Sequence, residues 1–128
     1  MKKYILIFVS IIIIMGLTGC EEKGMRYTQI GMEEAVAMMA TEENYIILDV
    51  RTTEEFAEKH IPNAINIPNE TIGSEELAEL PDKNQLILVY CRSGNRSKQA
   101  SEKLAALGYT NIYEFGGIND WTGETVSN

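Results

Sequence analysis

The stretch LILVYCRSGNRS, residues 86 to 97, joins two kinds of sequence pattern. Its first five residues form a continuous apolar run, which is typical of a strand buried on both faces of a parallel sheet. Cys91 follows this run directly, and the polar residues after it lead into a segment of helical period. In open α/β sheets, ligand sites lie where strands end and the next helices begin. The stretch therefore predicts an α/β protein with a functional loop around Cys91.

The same alternation of short apolar runs with helical segments extends along the chain and predicts a central parallel five-stranded sheet with crossover helices. The predicted strands are residues 27–30, 45–50, 64–67, 86–90 and 112–115. The predicted helices are residues 32–40, 53–60, 74–80 and 97–107. Thr52 and Glu55 have the spacing of a capping box for the second helix, and Gly108 is placed to end the last one.

The N-terminus, MKKYILIFVSIIIIMGLTGC over residues 1–20, has the pattern of a secretory signal, with two lysines before an apolar stretch. That stretch is shorter than the roughly 20 apolar residues that span a bilayer. Its end, LTGC, resembles the lipobox of bacterial lipoproteins, which implies that Cys20 is lipidated. We therefore expect a signal peptide over residues 1–19, a lipidated tether over 20–26 and one domain over 27–128. The implied location is the cell envelope, on the outer face of the cytoplasmic membrane.

The charge balance of the chain is strongly acidic, with 11 basic and 19 acidic residues and a net charge of −8. Loss of residues 1–19 removes two lysines and no acidic residue, so 9 basic and 19 acidic residues leave a charge of −10. Such a surface disfavours binding to nucleic acid and electrostatic adhesion to anionic lipid. The expected link to the membrane is therefore the lipid on Cys20 alone.

The loop after Cys91 has the composition of an anion cradle. Gly94 permits a tight turn, Arg92 and Arg96 add positive charge, and the helix predicted from Ser97 contributes unpaired N–H groups. These donors favour the thiolate form of Cys91. The candidate site therefore has Cys91 as the nucleophile and a loop formed by Arg92, Ser93, Gly94, Asn95, Arg96 and Ser97. A buried structural cysteine is the alternative, but it would not require these neighbours.

Three segments carry a family resemblance: ILDVRTTEEFAEKHIPNAINIP (47–68), LVYCRSGNRS (88–97) and FGGINDW (115–121). Together they resemble a single-domain rhodanese, a sulfurtransferase with a small α/β fold and helices on both faces of its sheet. The resemblance implies that Cys91 carries sulfur as a persulfide, taken from thiosulfate or a persulfide donor and passed to a thiol or other nucleophile. No cofactor is expected, since the sequence has no glycine-rich nucleotide fingerprint. The segment departs from the common family pattern Gly-His-Ile-Pro-Gly, because this chain has Lys59-His60-Ile61-Pro62-Asn63 there.

Two other functions remain open at this stage. Related phosphatases have a longer Cys-x₅-Arg loop that holds a tetrahedral phosphate, whereas only four residues separate Cys91 from Arg96. The shorter loop suits a persulfide better. A non-catalytic module of the same family that binds a partner is the second alternative, although such modules often lack the cysteine.

The remaining candidates are weaker. Asp49 and Arg51 either border the site or form an ion pair that holds the strand end, and we favour the ion pair. His60, the only histidine, is expected to be structural, because a preformed thiolate needs no general base. Gly116 and Gly117 resemble the turn that closes on the active loop in the family. No metal site is predicted, since one histidine and one free cysteine do not supply a tetrahedral ligand set.

Overall fold

The computed structural model describes residues 26–128, so the predicted signal peptide, Cys20 and tether residues 21–25 lie outside the described residues. The strands are β1 (Thr28–Gln29), β2 (Tyr45–Asp49), β3 (Ile65–Asn66), β4 (Leu86–Cys91) and β5 (Ile112–Gly117). The α-helices are α1 (Met32–Thr41), α2 (Thr53–Glu58) and α3 (Asn95–Ala106), and short 3₁₀ turns cover Asn69–Thr71 and Ile118–Asp120.

The five strands form one parallel sheet, as the sequence predicted, and the structure gives their order as β1-β5-β4-β2-β3. β4 lies at the centre, between β5 and β2, and the two edge strands are only two residues long. A register irregularity between Val89 and Cys91 ends the regular pairing of β4 with β5, so that Cys91 lies opposite Gly117. The end of the central strand is therefore placed directly against the end of its neighbour.

Apolar side chains cover both faces of the sheet. On one face, Ala35 of α1 and Phe56 of α2 pack with Ile47, Leu88 and Phe115. On the other face, Ala100 and Leu104 of α3 pack with Leu48, Val89 and Ile112. The alternation of strand side chains between two cores explains why β2 and β4 read as continuous apolar runs. The predicted α/β class with helices on both faces is confirmed.

The helix boundaries follow local signals. Thr52 Oγ1 accepts a hydrogen bond from the Glu55 backbone N–H at 3.1 Å, and Glu55 Oε1 accepts one from the Thr52 N–H at 3.0 Å, which completes the predicted capping box. α2 ends at Glu58, two residues before its predicted end. α3 begins at Asn95, two residues before its predicted start, and Gly108 follows it with a φ of 104°.

The predicted helix over residues 74–80 is wrong, because the structure has turns and bends there. A helix this short is unstable in water unless packing supports it. The segment is instead held by the buried side chain of Leu80 and by the Tyr109 hydroxyl, which donates to the Leu80 carbonyl at 2.5 Å. Over residues 26–128, none of the helices combines the length and apolar character needed to cross a membrane.

Candidate active site

The loop that begins at Cys91 runs from the end of β4 to the start of α3. Gly94 stands immediately before the helix with a φ of 117°, a conformation that residues with a Cβ rarely adopt. This turn reverses the chain so that the first N–H groups of α3, which have no partner within the helix, lie beside the strand end. The structure thus brings the predicted loop residues 91–97 together. Arg92, Ser93 and Asn95 are exposed, whereas Gly94 and Ser97 are buried.

The thiol of Cys91 is almost fully buried, with 1% of the residue exposed. The Gly94 N–H donates to Sγ across 3.0 Å, and the Ser97 hydroxyl oxygen lies 3.4 Å from Sγ. A backbone N–H aimed at sulfur stabilises negative charge on that atom. The contacts of the thiol therefore come from the loop itself.

A buried carboxylate that the sequence did not predict as a site residue is linked to the thiol through Ser97. Glu114 on β5 is 2% exposed, and its Oε2 accepts hydrogen bonds from the Ser97 hydroxyl at 2.5 Å and from the Gly116 N–H at 3.0 Å. Within residues 26–128 Glu114 forms no salt bridge. We call Cys91, Ser97 and Glu114 the loop floor. The sequence feature that could have indicated this residue is a charged side chain inside the apolar strand segment IYEFGG.

At the solvent side of the loop, Arg92 and Arg96 both contact the carboxylate of Glu55. Arg96 Nη1 and Nη2 donate to Glu55 Oε1 and Oε2 at 2.8 and 3.2 Å, and Arg92 Nη1 lies 3.5 Å from Glu55 Oε2. The hydrogen bonds from Arg96 lower the pKa of Glu55 from 4.5 to about 2, with further donors at Thr52. We call Glu55, Arg92 and Arg96 the loop mouth. The sequence predicted Glu55 only as part of the capping box.

The backbone of the loop is braced from β5. A Cβ on Gly117 would lie 1.9 Å from the Arg92 carbonyl oxygen and 2.6 Å from the Ser93 nitrogen, so only glycine fits. The Asn119 N–H donates to the same Arg92 carbonyl at 3.2 Å. The turn that resembled the family's closing turn therefore lies against the loop at Gly117.

Asp49 and Arg51 form a buried ion pair, with Arg51 Nη2 at 2.6 Å from Asp49 Oδ2. Arg51 Nη2 also donates to the Lys59 carbonyl at 2.7 Å, and the Asn66 amide donates to the Asp49 and Arg51 carbonyls. Within the described residues, neither side chain forms a hydrogen bond to residues 91–97. Their contacts join β2 to β3 and to the end of α2, which is the arrangement expected of the ion pair.

His60 directly follows Lys59, whose carbonyl accepts the hydrogen bond from Arg51. Its ring stacks on Phe56 with centroids 3.7 Å apart, and Nδ1 is 2.8 Å from the Phe56 carbonyl oxygen. Its backbone pairs with Val126 near the C-terminus. These contacts hold the ring in the packing of α2, as a structural histidine requires.

Comparison with known proteins identifies the family. Residues 32–124 match the model of the rhodanese-like domain. The thiosulfate sulfurtransferase PspE of Escherichia coli K12 is 40% identical over 73 residues, which cover 57% of this chain and 70% of the relative. The thiosulfate sulfurtransferase GlpE of Coxiella burnetii is 32% identical over 98 residues, covering 76% of this chain and 89% of the relative.

A crystal structure of a rhodanese-like domain protein from Staphylococcus aureus superposes with a TM-score of 0.68 and 31% identity, over 79% of this chain and 98% of that one. The family match over residues 32–124 includes β2 to β5, the three helices and the loop after β4, and β1 lies just before it. Because the family model extends over most of the sequence, this chain belongs to the family of rhodanese-like domains.

Proposed function

We propose that this chain is a sulfurtransferase that moves a sulfane sulfur from a small donor to a thiol or other nucleophile through a persulfide on Cys91. The observation that carries the proposal is the loop geometry around Sγ. The thiol lies at the end of the central strand, its sulfur accepts the Gly94 N–H at 3.0 Å, and the first turn of α3 adds unpaired donors.

The reaction divides into two displacements at sulfur. In the first, the Cys91 thiolate attacks the outer sulfur of the donor, the S–S bond of the donor breaks, and the leaving group departs with the electron pair. With thiosulfate the leaving group is sulfite. In the second, an acceptor nucleophile attacks the outer sulfur of the Cys91 persulfide and the Cys91 thiolate leaves. The enzyme alternates between thiolate and persulfide, so ping-pong kinetics are expected.

The loop supports both displacements by holding negative charge on sulfur. The charge lies on Cys91 before the first step and is shared with the outer sulfur after it. Backbone N–H groups stabilise both forms without having to move, which is how preorganised donors lower a barrier. Gly94 supplies the N–H at the thiol, while Gly117 fixes the backbone of Arg92 and Ser93 from behind. Ser93, Asn95 and the two arginines border the entry to the loop.

Intact-mass spectrometry tests the proposal. Protein covering residues 21–128 and treated with thiosulfate, in the absence of reductant, should gain the mass of one sulfur atom, and cyanide should remove it. The Cys91→Ser protein should show neither change. Absence of sulfur uptake from thiosulfate and from small persulfides would contradict the activity. A phosphatase would instead hydrolyse an aryl phosphate in a Cys91-dependent reaction, and a partner-binding module would do neither.

We further propose that lipid on Cys20 holds the domain at the outer face of the cytoplasmic membrane. Support comes from the signal pattern of residues 1–19 and from the LTGC sequence at residues 17–20. Cells that express the parent and the Cys20→Ser protein should be fractionated in parallel. The parent should remain with membranes and the variant should not. Equal membrane retention of the two proteins would contradict the anchor.

A further inference from the structure

The loop mouth contains a carboxylate where an anion-binding site would have free cations. Both oxygens of Glu55 are bound by the Arg96 guanidinium, and Arg92 lies 3.5 Å from one of them. Arginine binds oxyanions best through two parallel N–H groups of its planar fork. In Arg96 that fork is already occupied by Glu55. The three side chains together carry a net charge of +1 instead of +2.

This arrangement is held from the α2 side as well as from the loop. Glu55 Oε1 accepts hydrogen bonds from the Thr52 N–H at 3.0 Å and from the Thr52 hydroxyl at 3.1 Å, as part of the capping box. The capping box therefore holds the carboxylate by contacts other than those of Arg96. The Arg96 hydrogen bonds lower the pKa of Glu55 to about 2, so the negative charge is present throughout the physiological pH range. Its side chain is 21% exposed, against 62% for Arg92.

A fixed carboxylate at the entry affects donors according to their charge. Thiosulfate is a dianion, and to use the Arg96 fork it must displace Glu55 while its own charge is repelled by that carboxylate. A small persulfide presents its reactive outer sulfur with at most one charge and needs no guanidinium fork. Partly buried charges at the entry of a site act strongly on approaching ions, because the surrounding protein screens them less than water does.

We propose that Glu55 is a specificity-determining residue that disfavours dianionic donors and directs Cys91 toward low-molecular-weight persulfides. This inference rests on the proposed sulfurtransferase function. With a persulfide R–S–SH, the Cys91 thiolate attacks the outer sulfur, the bond between the two donor sulfurs breaks, and R–S⁻ leaves. The outer sulfur keeps its hydrogen until the solvent removes it, so atoms and electrons balance without a further reactant.

Glu55→Gln tests the charge without removing the fold signal. Glutamine at the third helical position preserves the capping box with Thr52, so α2 should form normally. The matched control is Glu54→Gln, which removes the same charge one residue away, at an exposed position that contacts neither arginine. The measured quantity is the second-order rate constant for sulfur loading of Cys91, followed by intact mass, with thiosulfate and with 2-hydroxyethyl persulfide.

In Glu55→Gln, loading from thiosulfate should rise about fivefold, since a guanidinium fork is released and a like charge is removed, while loading from the persulfide should change less than about twofold. Glu54→Gln should keep the donor ratio of the parent. An unchanged ratio in Glu55→Gln, or slower loading from thiosulfate, would overturn the inference. A lack of loading from either donor in the parent would instead contradict the sulfurtransferase function itself.

A second measurement does not depend on sulfur transfer. Iodoacetate and iodoacetamide alkylate thiols by the same displacement but differ in charge, so their rate ratio at Cys91 reports the potential at the loop mouth. The iodoacetate rate relative to iodoacetamide should rise about two- to fivefold in Glu55→Gln and stay at the parent value in Glu54→Gln. Equal ratios in all three proteins would contradict a charge effect at Glu55.

Discussion

The loop floor and the loop mouth each place a glutamate beside the Cys91 loop, but in opposite surroundings. At the floor, Glu114 is 2% exposed and is bound by one hydroxyl and one backbone N–H. At the mouth, the Glu55 side chain is 21% exposed and is bound by two arginines and by Thr52. When a buried carboxylate loses a hydrogen-bond donor, no water takes the place of that donor. When an ion pair near the surface loses one partner, water partly compensates for the loss.

The difference separates two functions of charge in one site. Substitutions at the floor should affect both the stability of the fold and the reactivity of Cys91, because Ser97 contacts both the thiol and Glu114. Substitutions at the mouth should alter the choice of donor with a small effect on stability. Substitutions can therefore be chosen that alter the floor, the mouth, or the loop backbone that both share.

The largest effect is expected from Gly117→Ala, which should disturb floor and mouth together. The new Cβ would lie 1.9 Å from the Arg92 carbonyl oxygen, so the loop backbone must move. Overpacking of this kind costs about 1–3 kcal/mol and occasionally more, and we expect the upper end because the contact is with backbone. Urea unfolding should show the loss, and sulfur loading of Cys91 should fall at least tenfold relative to the parent.

Gly73→Ala is the control for that substitution, because no atom lies within 4 Å of the position of its Cβ and its φ is not positive. It should leave the free energy of unfolding nearly unchanged. Normal stability and normal loading in Gly117→Ala would contradict the close packing of β5 on the loop.

The second prediction concerns the floor alone. Ser97→Ala removes the hydroxyl that donates to Glu114 at 2.5 Å and leaves only the Gly116 N–H on that oxygen. A buried acceptor that loses a partner costs about 1–3 kcal/mol, so the free energy of unfolding should fall by about 2 kcal/mol. Loading of Cys91 should slow as well, because Ser97 also lies 3.4 Å from Sγ.

Ser101→Ala is the matched control, on the next turn of the same helix. Ser101 is fully buried, and its hydroxyl is the one buried side-chain polar atom within residues 26–128 that lacks a hydrogen-bond partner. Its removal should be neutral or stabilising, with no effect on loading. If Ser97→Ala and Ser101→Ala were equally mild, the contact between Ser97 and Glu114 would not stabilise the protein.

Features of this molecule that depend on neighbouring residues could be predicted from the sequence, whereas features that depend on distant residues could not. Neighbouring residues define three features: the apolar runs of β2 and β4, the capping box of Thr52 and Glu55, and the loop after Cys91. These gave the α/β class and the family, which are confirmed. The helix predicted over residues 74–80 rested only on Ser74 at its start and Pro81 after its end, and the segment forms turns and bends held by tertiary contacts at Leu80 and Tyr109.

The positions of Glu55 and Glu114 beside the Cys91 loop could not be predicted from neighbouring residues. Glu55 is 41 residues from Arg96 in sequence, and Glu114 is 17 residues from Ser97. Their contacts depend on the strand order, which brings β5 beside β4, and on the packing of α2 near the loop. No local pattern encodes such distances. Asp49 and Arg51, by contrast, are two residues apart, and the sequence favoured their pairing over a place at the border of the site.

The smallest effect is expected at the mouth and depends on pH. The pKa of Glu55 is lowered from 4.5 to about 2, chiefly by the hydrogen bonds from Arg96. The ionised form of Glu55 is therefore more stable in the folded protein than in the unfolded chain. The resulting stabilisation is present in full above pH 4.5 and is lost as the pH falls toward 2. Glu55→Gln cannot ionise and lacks this contribution at every pH.

Urea unfolding of parent and Glu55→Gln at several pH values measures this contribution directly. At pH 7 the variant should be less stable by about 0.2–1 kcal/mol, the range for ion pairs near the surface. The difference should remain constant down to about pH 5 and then shrink between pH 4.5 and pH 2, as the parent's carboxylate is protonated. Glu54→Gln should show no comparable loss in that interval. A difference that stays constant to pH 3, or grows as the pH falls, would mean that the Arg96 contact does not stabilise the fold through the charge of Glu55.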